Sequence, residues 1–276
     1  MKAKKHLGQH FLRSEKALRT IIETGDIKAG EMVLEIGPGE GALTEKLLET
    51  GAKVIAVEKD EVLFELLKQK FEKEISSGQL NLINDDILEF NIENPDATVG
   101  TPTLRRGYKL IANIPYNITG AIFKKFLETD RQPEKMVLLV QKEVAQRIIG
   151  TGPHSAKASR GKKESVLSIS IKAYGNPTII DKVLAGSFAP APQVDSAILL
   201  IDAVSKDFFK EMSEKHFFQM LKAGFSSKRK KLSSNLSNIL DKNRVDEAFQ
   251  KIKLDENTRA EDLGIEKWQE LAISLI

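Results

Sequence analysis

The chain has 276 residues, of which 41% are hydrophobic and 29% charged, and its formal net charge is +3. This composition excludes a mostly disordered chain and is that of a globular protein with room for one large domain and a smaller one. Cysteine is absent, which excludes disulfides and thiolate metal sites. We find no secretory signal and no apolar run of membrane-spanning length, and so we expect a cytoplasmic protein.

Strand and helix patterns alternate over the first 150 residues. The strand-like run Met32–Ile36 meets a glycine turn, and Val54–Val57 is an apolar run typical of a buried parallel strand. Further strands are predicted at 80–83, 110–112 and 136–140. Helices are predicted at 14–25, 43–48, 61–74, 119–128 and 142–149. This alternation predicts an α/β fold with a doubly wound, mostly parallel sheet.

The pattern changes after residue 150. Residues 151–164 are polar, basic and typical of a loop. Two β-rich segments follow, 166–173 and 194–202, separated by a loop or a short extended piece, which predicts an antiparallel edge of the sheet. From about residue 205 the spacing predicts helices, at 208–225, 227–240, 244–252 and 266–275. We therefore expect a catalytic domain over 1–204 and a small helical domain over 205–276.

Basic residues cluster in three places. Between Lys215 and Leu240 there are six Lys or Arg residues and no Asp or Glu, and four of the six are consecutive, Lys228–Lys231. The two other clusters are Lys157, Arg160, Lys162 and Lys163, and Lys2, Lys4 and Lys5. A single cluster of this kind is usually a solvated surface. Three of them, with the acidic residues elsewhere, favour a polyanionic partner.

Glycines follow the first predicted strand of the sheet and precede a helix. Gly37, Gly39 and Gly41 lie where a side chain would keep a ligand away from the backbone, and residues 37–42 fit the looser form of the dinucleotide-binding pattern. Glu58 ends the second strand, 21 residues after Gly37, where a carboxylate can accept hydrogen bonds from ribose hydroxyls. These features predict a ligand that contains adenosine, either NAD or S-adenosylmethionine.

The tetrapeptide Asn113-Ile114-Pro115-Tyr116 favours the second ligand. It follows a strand at the carboxyl edge of the sheet, where ligands bind in such folds. The amine of adenine is a poor nucleophile because its lone pair is delocalised into the ring. The side-chain oxygen of Asn113 and a carbonyl of the Ile114-Pro115 turn can accept hydrogen bonds from both of its N–H groups. Pro115 stiffens the turn, and Tyr116 offers a ring on which a flipped base can stack. The motif therefore predicts methyl transfer to adenine.

Seven segments together resemble one family, the KsgA-type small-subunit ribosomal RNA adenine N6,N6-dimethyltransferases, which are related to the Erm methyltransferases of large-subunit rRNA. The segments span nearly the whole chain and are 8–12, 35–44, 56–60, 85–88, 113–118, 188–199 and 223–232. The resemblance implies a Rossmann-like class I methyltransferase sheet with a C-terminal helical domain that contacts RNA. It also implies S-adenosylmethionine as the cofactor, no metal, and a monomer that acts on small-subunit rRNA or the assembling small subunit. The expected product is N6,N6-dimethyladenosine at two adjacent positions near the 3′ end of that rRNA.

The resemblance also assigns site residues. The cofactor-binding residues that it implies are His10, Leu12, Gly37, Glu58, Asp86 and Asn113. The catalytic residues that it implies are Asn113, Pro115, Tyr116 and Phe188. In this assignment His10 and Leu12 close over the cofactor, Glu58 holds the ribose and Asp86 faces the cofactor's adenine amine. Phe188 would sandwich the target base against Tyr116.

The chain departs from the family's pattern in three places. His10 stands where the family usually has Asn; an imidazole can still donate and accept, so we expect cofactor binding with a different pH dependence. The segment after Arg147 is longer and more basic than usual, and Glu164-Ser165-Val166 replaces the usual Tyr-Gly. Residues 95–107 look like an extra surface loop.

Three alternatives remain at this point. An Erm-like methylase of large-subunit rRNA is disfavoured by Leu139–Val144 and by the basic segment before Leu232, which look more KsgA-like. A non-enzymatic RNA-binding or assembly factor on the same scaffold is disfavoured because Asn113, Pro115 and Tyr116 are intact. An NAD-dependent oxidoreductase leaves both the tetrapeptide and the basic segment without a role.

Overall fold

A seven-stranded sheet accounts for most of the strands in the first 204 residues. The computed structural model describes residues 9–91, 107–150 and 163–276. The strands in these residues are β1 (Phe11–Leu12), β2 (Met32–Ile36), β3 (Lys53–Glu58), β4 (Leu80–Asn84), β5 (Lys109–Asn113), β6 (Lys135–Gln141), β7 (Asn176–Val183), β8 (Phe188–Ala189) and β9 (Ser196–Asp202). The large sheet has the order β4-β3-β2-β5-β6-β9-β7, and β1 pairs with β8 in a separate two-stranded sheet.

The direction of the strands confirms the predicted sheet. Strands β4, β3, β2, β5 and β6 are paired with one another in parallel, and β9, between β6 and the edge strand β7, lies antiparallel to β6. Parallel neighbours need crossover connections, which explains why a helix follows almost every one of these strands. Because the carboxyl ends of parallel strands meet at one edge, the loops after β2, β3, β4 and β5 converge there.

Polar caps determine where several helices begin. The helices are α1 (Glu15–Gly25), α2 (Ala42–Glu49), α3 (Glu61–Lys70), α4 (Glu72–Ser76), α5 (Thr119–Leu127), α6 (Lys142–Ile149), α7 (Val166–Lys172), α8 (Glu214–Gly224), α9 (Leu232–Leu236), α10 (Lys242–Lys251) and α11 (Ile265–Ser274). Ser14, Asp60 and Ser213 each accept a backbone N–H of the first turn of α1, α3 and α8. None of the helices in the described parts of the chain is both long and apolar enough to cross a bilayer.

The chain folds into two compact units. The first comprises residues 1–145 and 178–204, and the second comprises 146–177 and 205–276. In the first unit, apolar side chains of the strands pack with α1 and α2; Ile21, Val33, Leu47 and Ile111 are fully buried there. The second unit has its own core, in which Phe217, Leu232, Leu236, Trp268 and Leu271 are fully buried.

The chain passes from the first unit to the second between residues 204 and 205, where the sequence analysis placed the domain boundary. The units differ from the expected division over 146–177, which group with the C-terminal helices. The assignment of catalysis to 1–204 and of RNA contact to 205–276 stays a prediction. Residues 95–106 of the expected surface loop at 95–107, and the basic residues at 2–5 and 157–162, lie outside the described residues.

Two predictions about edge strands were wrong. The segment 166–173, expected as a strand, forms helix α7, because Ser165 and Ser168 cap its first turn reciprocally. The intervening segment, expected as a loop or a short extended piece, is the eight-residue strand β7 at the edge of the sheet. Its side chains alternate between exposed and half-buried, and because none before Val183 is fully buried the usual apolar signal is missing.

The predicted helix over 227–240 is much shorter than expected. Helix α9 spans five residues, Leu232–Leu236, and the basic residues Lys228–Lys231 lie before it in an exposed turn. The buried side chain of Asn235 donates its Nδ2 to the carbonyls of Gly224 at 2.6 Å and Ser227 at 3.0 Å. These bonds hold the chain in a turn where helical continuity was expected.

Gly224, the last residue of α8, lies against two buried side chains. A Cβ at this position would be 2.5 Å from Cη2 of Trp268 and 2.7 Å from Cδ1 of Leu232, closer than real Cβ atoms approach. A Cβ on Gly120, near the start of α5, would have no neighbouring atom within 4 Å. The two glycines therefore differ in packing while both lie in helices.

We expect Gly224→Ala to lower the free energy of unfolding by about 1–3 kcal/mol, because the added methyl overpacks the core of the second unit. The matched change Gly120→Ala should be neutral or stabilise by up to about 1 kcal/mol, since alanine favours the helix and meets nothing. Urea unfolding followed by circular dichroism measures both. Equal effects of the two substitutions would contradict the packing argument.

Candidate active site

A cavity of about 280 Å³ opens at the carboxyl edge of the parallel strands. Its lining includes the segments 9–12, 35–40, 57–59, 85–88 and 113–118. The ends of β2, β3 and β5 thus meet in one place, together with the loop after β4 and the N-terminal segment. Every predicted cofactor-binding residue lines this cavity: His10, Leu12, Gly37, Glu58, Asp86 and Asn113. Of the predicted catalytic residues, Asn113, Pro115 and Tyr116 line it as well.

The glycine turn shapes the wall after β2. Gly37 and Gly39 both have a φ of +62°, a conformation that side chains disfavour. A Cβ on Gly37 would meet nothing within 4 Å, so a side chain there would project into space that a ligand can use. A Cβ on Gly39 would lie 3.0 Å from the ring of Phe11, so this glycine lets the N-terminal segment approach the turn.

Glu58 ends β3 as a buried carboxylate. One of its oxygens accepts the N–H of Gly39 at 3.1 Å and the other accepts the N–H of Asp60 at 2.8 Å. Burial raises the pKa of this carboxyl group, and the two backbone N–H groups oppose that shift. Each carboxylate oxygen can accept more than one hydrogen bond, so Glu58 can still accept from a ligand in the cavity.

Asp86 follows β4 and is held from two sides. Its Oδ1 accepts the N–H of Leu88 at 3.0 Å, and its Oδ2 accepts Nζ of Lys59 at 2.7 Å. The bond from Lys59 holds the pKa of this carboxyl below its usual value, so it is ionised at neutral pH. Nζ of Lys125 donates to the carbonyl of Leu88 at 2.8 Å and ties the same loop to α5.

Asn113, the last residue of β5, has a defined amide orientation. Its Nδ2 donates to the backbone carbonyl of His10 at 2.9 Å. A carbonyl can only accept, so the nitrogen of the amide must face His10. The side-chain oxygen of Asn113 is thereby left as an acceptor at the wall of the cavity.

Tyr116 is fixed by a hydrogen bond and by a ring contact. Its hydroxyl lies 2.6 Å from Oγ of Ser196, the fully buried first residue of β9. Its ring stacks on the imidazole of His10, with the ring centres 5.8 Å apart and the planes at 23°. Burial raises the pKa of Tyr116, which keeps it a neutral phenol at physiological pH. The antiparallel strand β9 thus helps to position the tetrapeptide turn.

Phe188 differs from the other predicted catalytic residues in its surroundings. It begins β8, pairs with Leu12 of β1 in the two-stranded sheet and is only 5% exposed, within the core of the first unit. It is not among the residues that line the cavity. Its assignment as the second stacking aromatic stays a prediction.

Sequence reasoning missed two residues. Glu35 is 1% exposed yet lines the cavity, and its Oε2 is buried without a hydrogen-bond partner. Burial raises its pKa to about 8. The sequence did carry a signal for Glu35, because it is an acidic residue inside the apolar run Met32–Ile36. Ser196 had no signal, because its partner Tyr116 is 80 residues away in the sequence.

Comparison with known proteins identifies the family. The family model described as ribosomal RNA adenine dimethylase matches residues 1–276. The chain belongs to this family. It is 39% identical to the ribosomal RNA small subunit methyltransferase A of Dehalococcoides mccartyi (strain CBDB1), over 99% of this chain and 88% of that protein. It is 37% identical to the protein of the same name from Lactobacillus acidophilus, over 99% of this chain and 91% of the relative. The resemblance derived from the motifs is thereby confirmed.

Solved structures of more distant proteins share the fold. A dimethyladenosine transferase from Plasmodium falciparum superposes with a TM-score of 0.74 at 24% identity, over 95% of this chain and 96% of the other. The 23S rRNA methyltransferase ErmE gives a TM-score of 0.72 at 24% identity, over 96% and 99% of the two chains. These similarities confirm the predicted methyltransferase fold. Within the residues that the structure describes, no group of three or more His, Asp or Glu side chains is arranged to hold a metal ion.

The buried carboxyl of Glu35 gives a prediction about pH. In the unfolded chain this group ionises near pH 4.5, whereas in the folded protein it keeps its proton up to about pH 8. Between these values the unfolded state gains by releasing the proton, so the contribution of Glu35 to stability falls as the pH rises.

We expect the wild type to lose stability relative to Glu35→Gln between pH 5 and pH 8, by about 1.4 kcal/mol per pH unit, because glutamine cannot ionise. Urea unfolding of both proteins across that range measures the difference. Parallel curves for the two proteins would show that Glu35 does not titrate in this way.

Proposed function

We propose that this chain transfers methyl groups from S-adenosylmethionine to N6 of two adjacent adenosines near the 3′ end of small-subunit ribosomal RNA. The product would be N6,N6-dimethyladenosine, formed in connection with small-subunit assembly. The observation that carries the proposal is the orientation of Asn113 by the His10 carbonyl, beside Tyr116 at the wall of the cavity. Family membership and the names of the small-subunit relatives support the choice of substrate.

The charges of the cavity favour S-adenosylmethionine over a dinucleotide. Carboxyl groups outnumber cationic side chains in its lining even without Glu35, which keeps its proton up to about pH 8. The others are Glu40, Glu58, Asp85 and Asp86, beside a single lysine, Lys59. Asp86 is paired with Lys59, and Glu40 is paired with Arg13. The remaining negative charge attracts a ligand that carries a sulfonium and an ammonium group, and it repels a pyrophosphate. These charges support the methyl donor as the ligand in preference to NAD.

Three groups of the chain would hold the donor. Glu58 would accept hydrogen bonds from the ribose hydroxyls, because its oxygens keep lone pairs beyond the two backbone bonds. Asp86 would accept from the adenine amine, and the backbone at Gly37 leaves open space for close approach. When bound, S-adenosylmethionine supplies an electrophilic methyl group on its sulfonium.

Asn113 would prepare the target amine. Its side-chain oxygen accepts one N–H of the amine, while the His10 carbonyl prevents the amide from turning round. The Ile114 carbonyl in the turn would accept the other N–H of the amine. The neighbouring Pro115 carbonyl already accepts the N–H of Ile118 at 3.2 Å. Two accepted hydrogen bonds localise the lone pair on nitrogen and direct it into the cavity. The proton can leave after transfer, so no general base is required.

Tyr116 would supply the stacking surface for the flipped adenine. Stacking of a base on an aromatic ring is worth about 1–3 kcal/mol. The Ser196 hydrogen bond holds the ring in one orientation, so little freedom is lost when a base arrives.

The turn before α9 would contact the RNA backbone. Lys228, Arg229, Lys230 and Lys231 are all exposed, and the buried Asn235 fixes the chain next to them. Lys163, from another basic cluster of the second unit, is instead bonded to Glu261 at 2.8 Å and Asp262 at 2.6 Å. Its charge is paired within the protein, and Nζ of Lys231 lies 3.9 Å from a carboxyl oxygen of Glu256. Lys228, Arg229 and Lys230 are therefore the better candidates for phosphate contacts.

Methyl transfer to small ribosomal subunits that lack the modification tests the proposal. Purified protein with labelled S-adenosylmethionine should label small-subunit rRNA, and mapping should find dimethyladenosine near its 3′ end. Labelling of large-subunit rRNA instead would favour an Erm-like methylase, and subunit binding without transfer would favour an assembly factor. In calorimetry S-adenosylhomocysteine should bind and NADH should not; the reverse would overturn the cofactor assignment.

We expect Asn113→Ala to lower the single-turnover rate about a hundredfold, because the target amine loses its acceptor and its alignment. Tyr116→Ala should weaken productive substrate binding by about 1–3 kcal/mol, whereas the matched Tyr116→Phe keeps the ring and should retain most activity. Melting temperatures measured beside the rates separate chemistry from folding. A folded and fully active Asn113→Ala protein would exclude the mechanism.

Replacing Lys228, Arg229, Lys230 and Lys231 together with Gln should weaken binding to the RNA and flatten its dependence on salt, because fewer counterions are released. Binding constants between about 50 and 200 mM salt give the slope. Lys242, Lys251 and Lys253 are exposed residues of the same unit outside the basic run, and their replacement serves as the control. An unchanged slope in the first variant would leave the basic turn as a solvated surface.

A further inference from the structure

The N-terminal segment contacts both groups that the proposed reaction uses. His10 accepts from Nδ2 of Asn113 with its backbone carbonyl, and its imidazole stacks on the ring of Tyr116. The Nδ1 of the same imidazole lies 2.8 Å from the carbonyl oxygen of Pro190. One residue therefore orients the amide through its backbone and covers the tyrosine through its side chain.

We propose that the His10 imidazole is a stacking plug, which covers the base-binding face of Tyr116 until the target adenine displaces it. The inference rests on the proposed function, because it takes Tyr116 as the platform for the base. It adds a specificity-determining role for the side chain of His10, separate from the cofactor contact assigned to that position.

The position of the imidazole supports this role. Asn113 and Tyr116 lie three residues apart, and His10 contacts both from the same segment. A base whose amine reaches Asn113 while its ring stacks on Tyr116 must enter the space next to both. The imidazole is a flat ring that stacks there with its plane at 23° to the tyrosine, in the manner expected of a base.

The plug can move without disturbing its backbone. Gln9 donates to Asp60 at 3.0 Å, and Phe11, the next residue after His10, is paired with Ala189 in the two-stranded sheet. The backbone of His10 is thus anchored on both sides, whereas its ring is held by the stack and by the bond to Pro190. Rotation of the side chain frees the face of Tyr116 and leaves the carbonyl on Asn113. Side-chain rotations of this kind are fast compared with turnover.

The plug has a consequence for selectivity. An incoming base must stack better on Tyr116 than the imidazole does, and only a base that also bonds to Asn113 gains both contacts. An asparagine at this position would have no ring and could not cover the tyrosine in this way. The chain therefore adds a competitor for the base at the entrance of its site.

The test compares His10→Asn, His10→Ala and His10→Phe in methyl transfer to small subunits that lack the modification, at saturating S-adenosylmethionine. The donor affinity of each variant is measured separately by calorimetry with S-adenosylhomocysteine, so that cofactor effects are removed. Loss of the plug should lower the KM for subunits about two- to tenfold in the Asn and Ala variants, the range of one aromatic stack. The Phe variant, which keeps a flat ring, should have a KM no lower than that of the wild type.

A second comparison uses Tyr116→Ala as the background. Without the tyrosine face, His10→Ala should no longer change the KM. An unchanged or raised KM in the Asn and Ala variants would overturn the plug, and so would an equal fall in the Phe variant. A wild-type protein that transfers no methyl group would overturn the proposed function itself, whereas active proteins with equal KM values would overturn the plug alone.

Discussion

The rest of the site depends on the two hydrogen bonds that the buried carboxylate of Glu58 accepts from the backbone. A carboxylate taken out of water is costly unless hydrogen bonds replace its hydration. The N–H groups of Gly39 and Asp60 do so, and they come from the two segments that meet at the ends of β2 and β3. The same two bonds therefore stabilise the charge, hold the glycine turn in its positive-φ conformation and fix the start of α3.

The N-terminal segment joins the two sides of the cavity. Gln9 bonds to Asp60 beside Glu58, His10 bonds to Asn113, and β1 pairs with β8. A short stretch without a helix thus spans from the proposed donor side to the proposed base side. The N-terminal segment can approach the glycine turn after β2 closely because Gly39 has no side chain that would meet the ring of Phe11.

Charge is distributed unevenly, although the net charge of +3 is small. The charged side chains that line the cavity of the first unit are mostly carboxyl groups, and the exposed turn of the second unit carries four consecutive cations. An acidic cavity suits a cationic methyl donor, and a basic surface suits a polyanionic substrate. The two proposed partners thus require opposite charges, and each unit provides one of them.

The sequence by itself determined the parallel sheet, the glycine turn, the family and most of the predicted site residues that line the cavity, but neither Glu35 nor the burial of Phe188. These features rest on local signals: apolar runs, glycines that adopt a positive φ, capping residues and short motifs that stay at the ends of strands. It failed where a local pattern had two readings, as at 166–173, where alternating apolar residues form a capped helix. The basic run before Leu232 was likewise expected to be helical, because the bonds from Asn235 that hold the turn are not visible as a pattern. Only the tertiary structure decided that Ser196 holds Tyr116, that Phe188 lies in the core and that His10 covers the tyrosine ring. Those contacts join residues about 80 to 100 positions apart or depend on burial by the whole fold, and no short stretch of sequence encodes either.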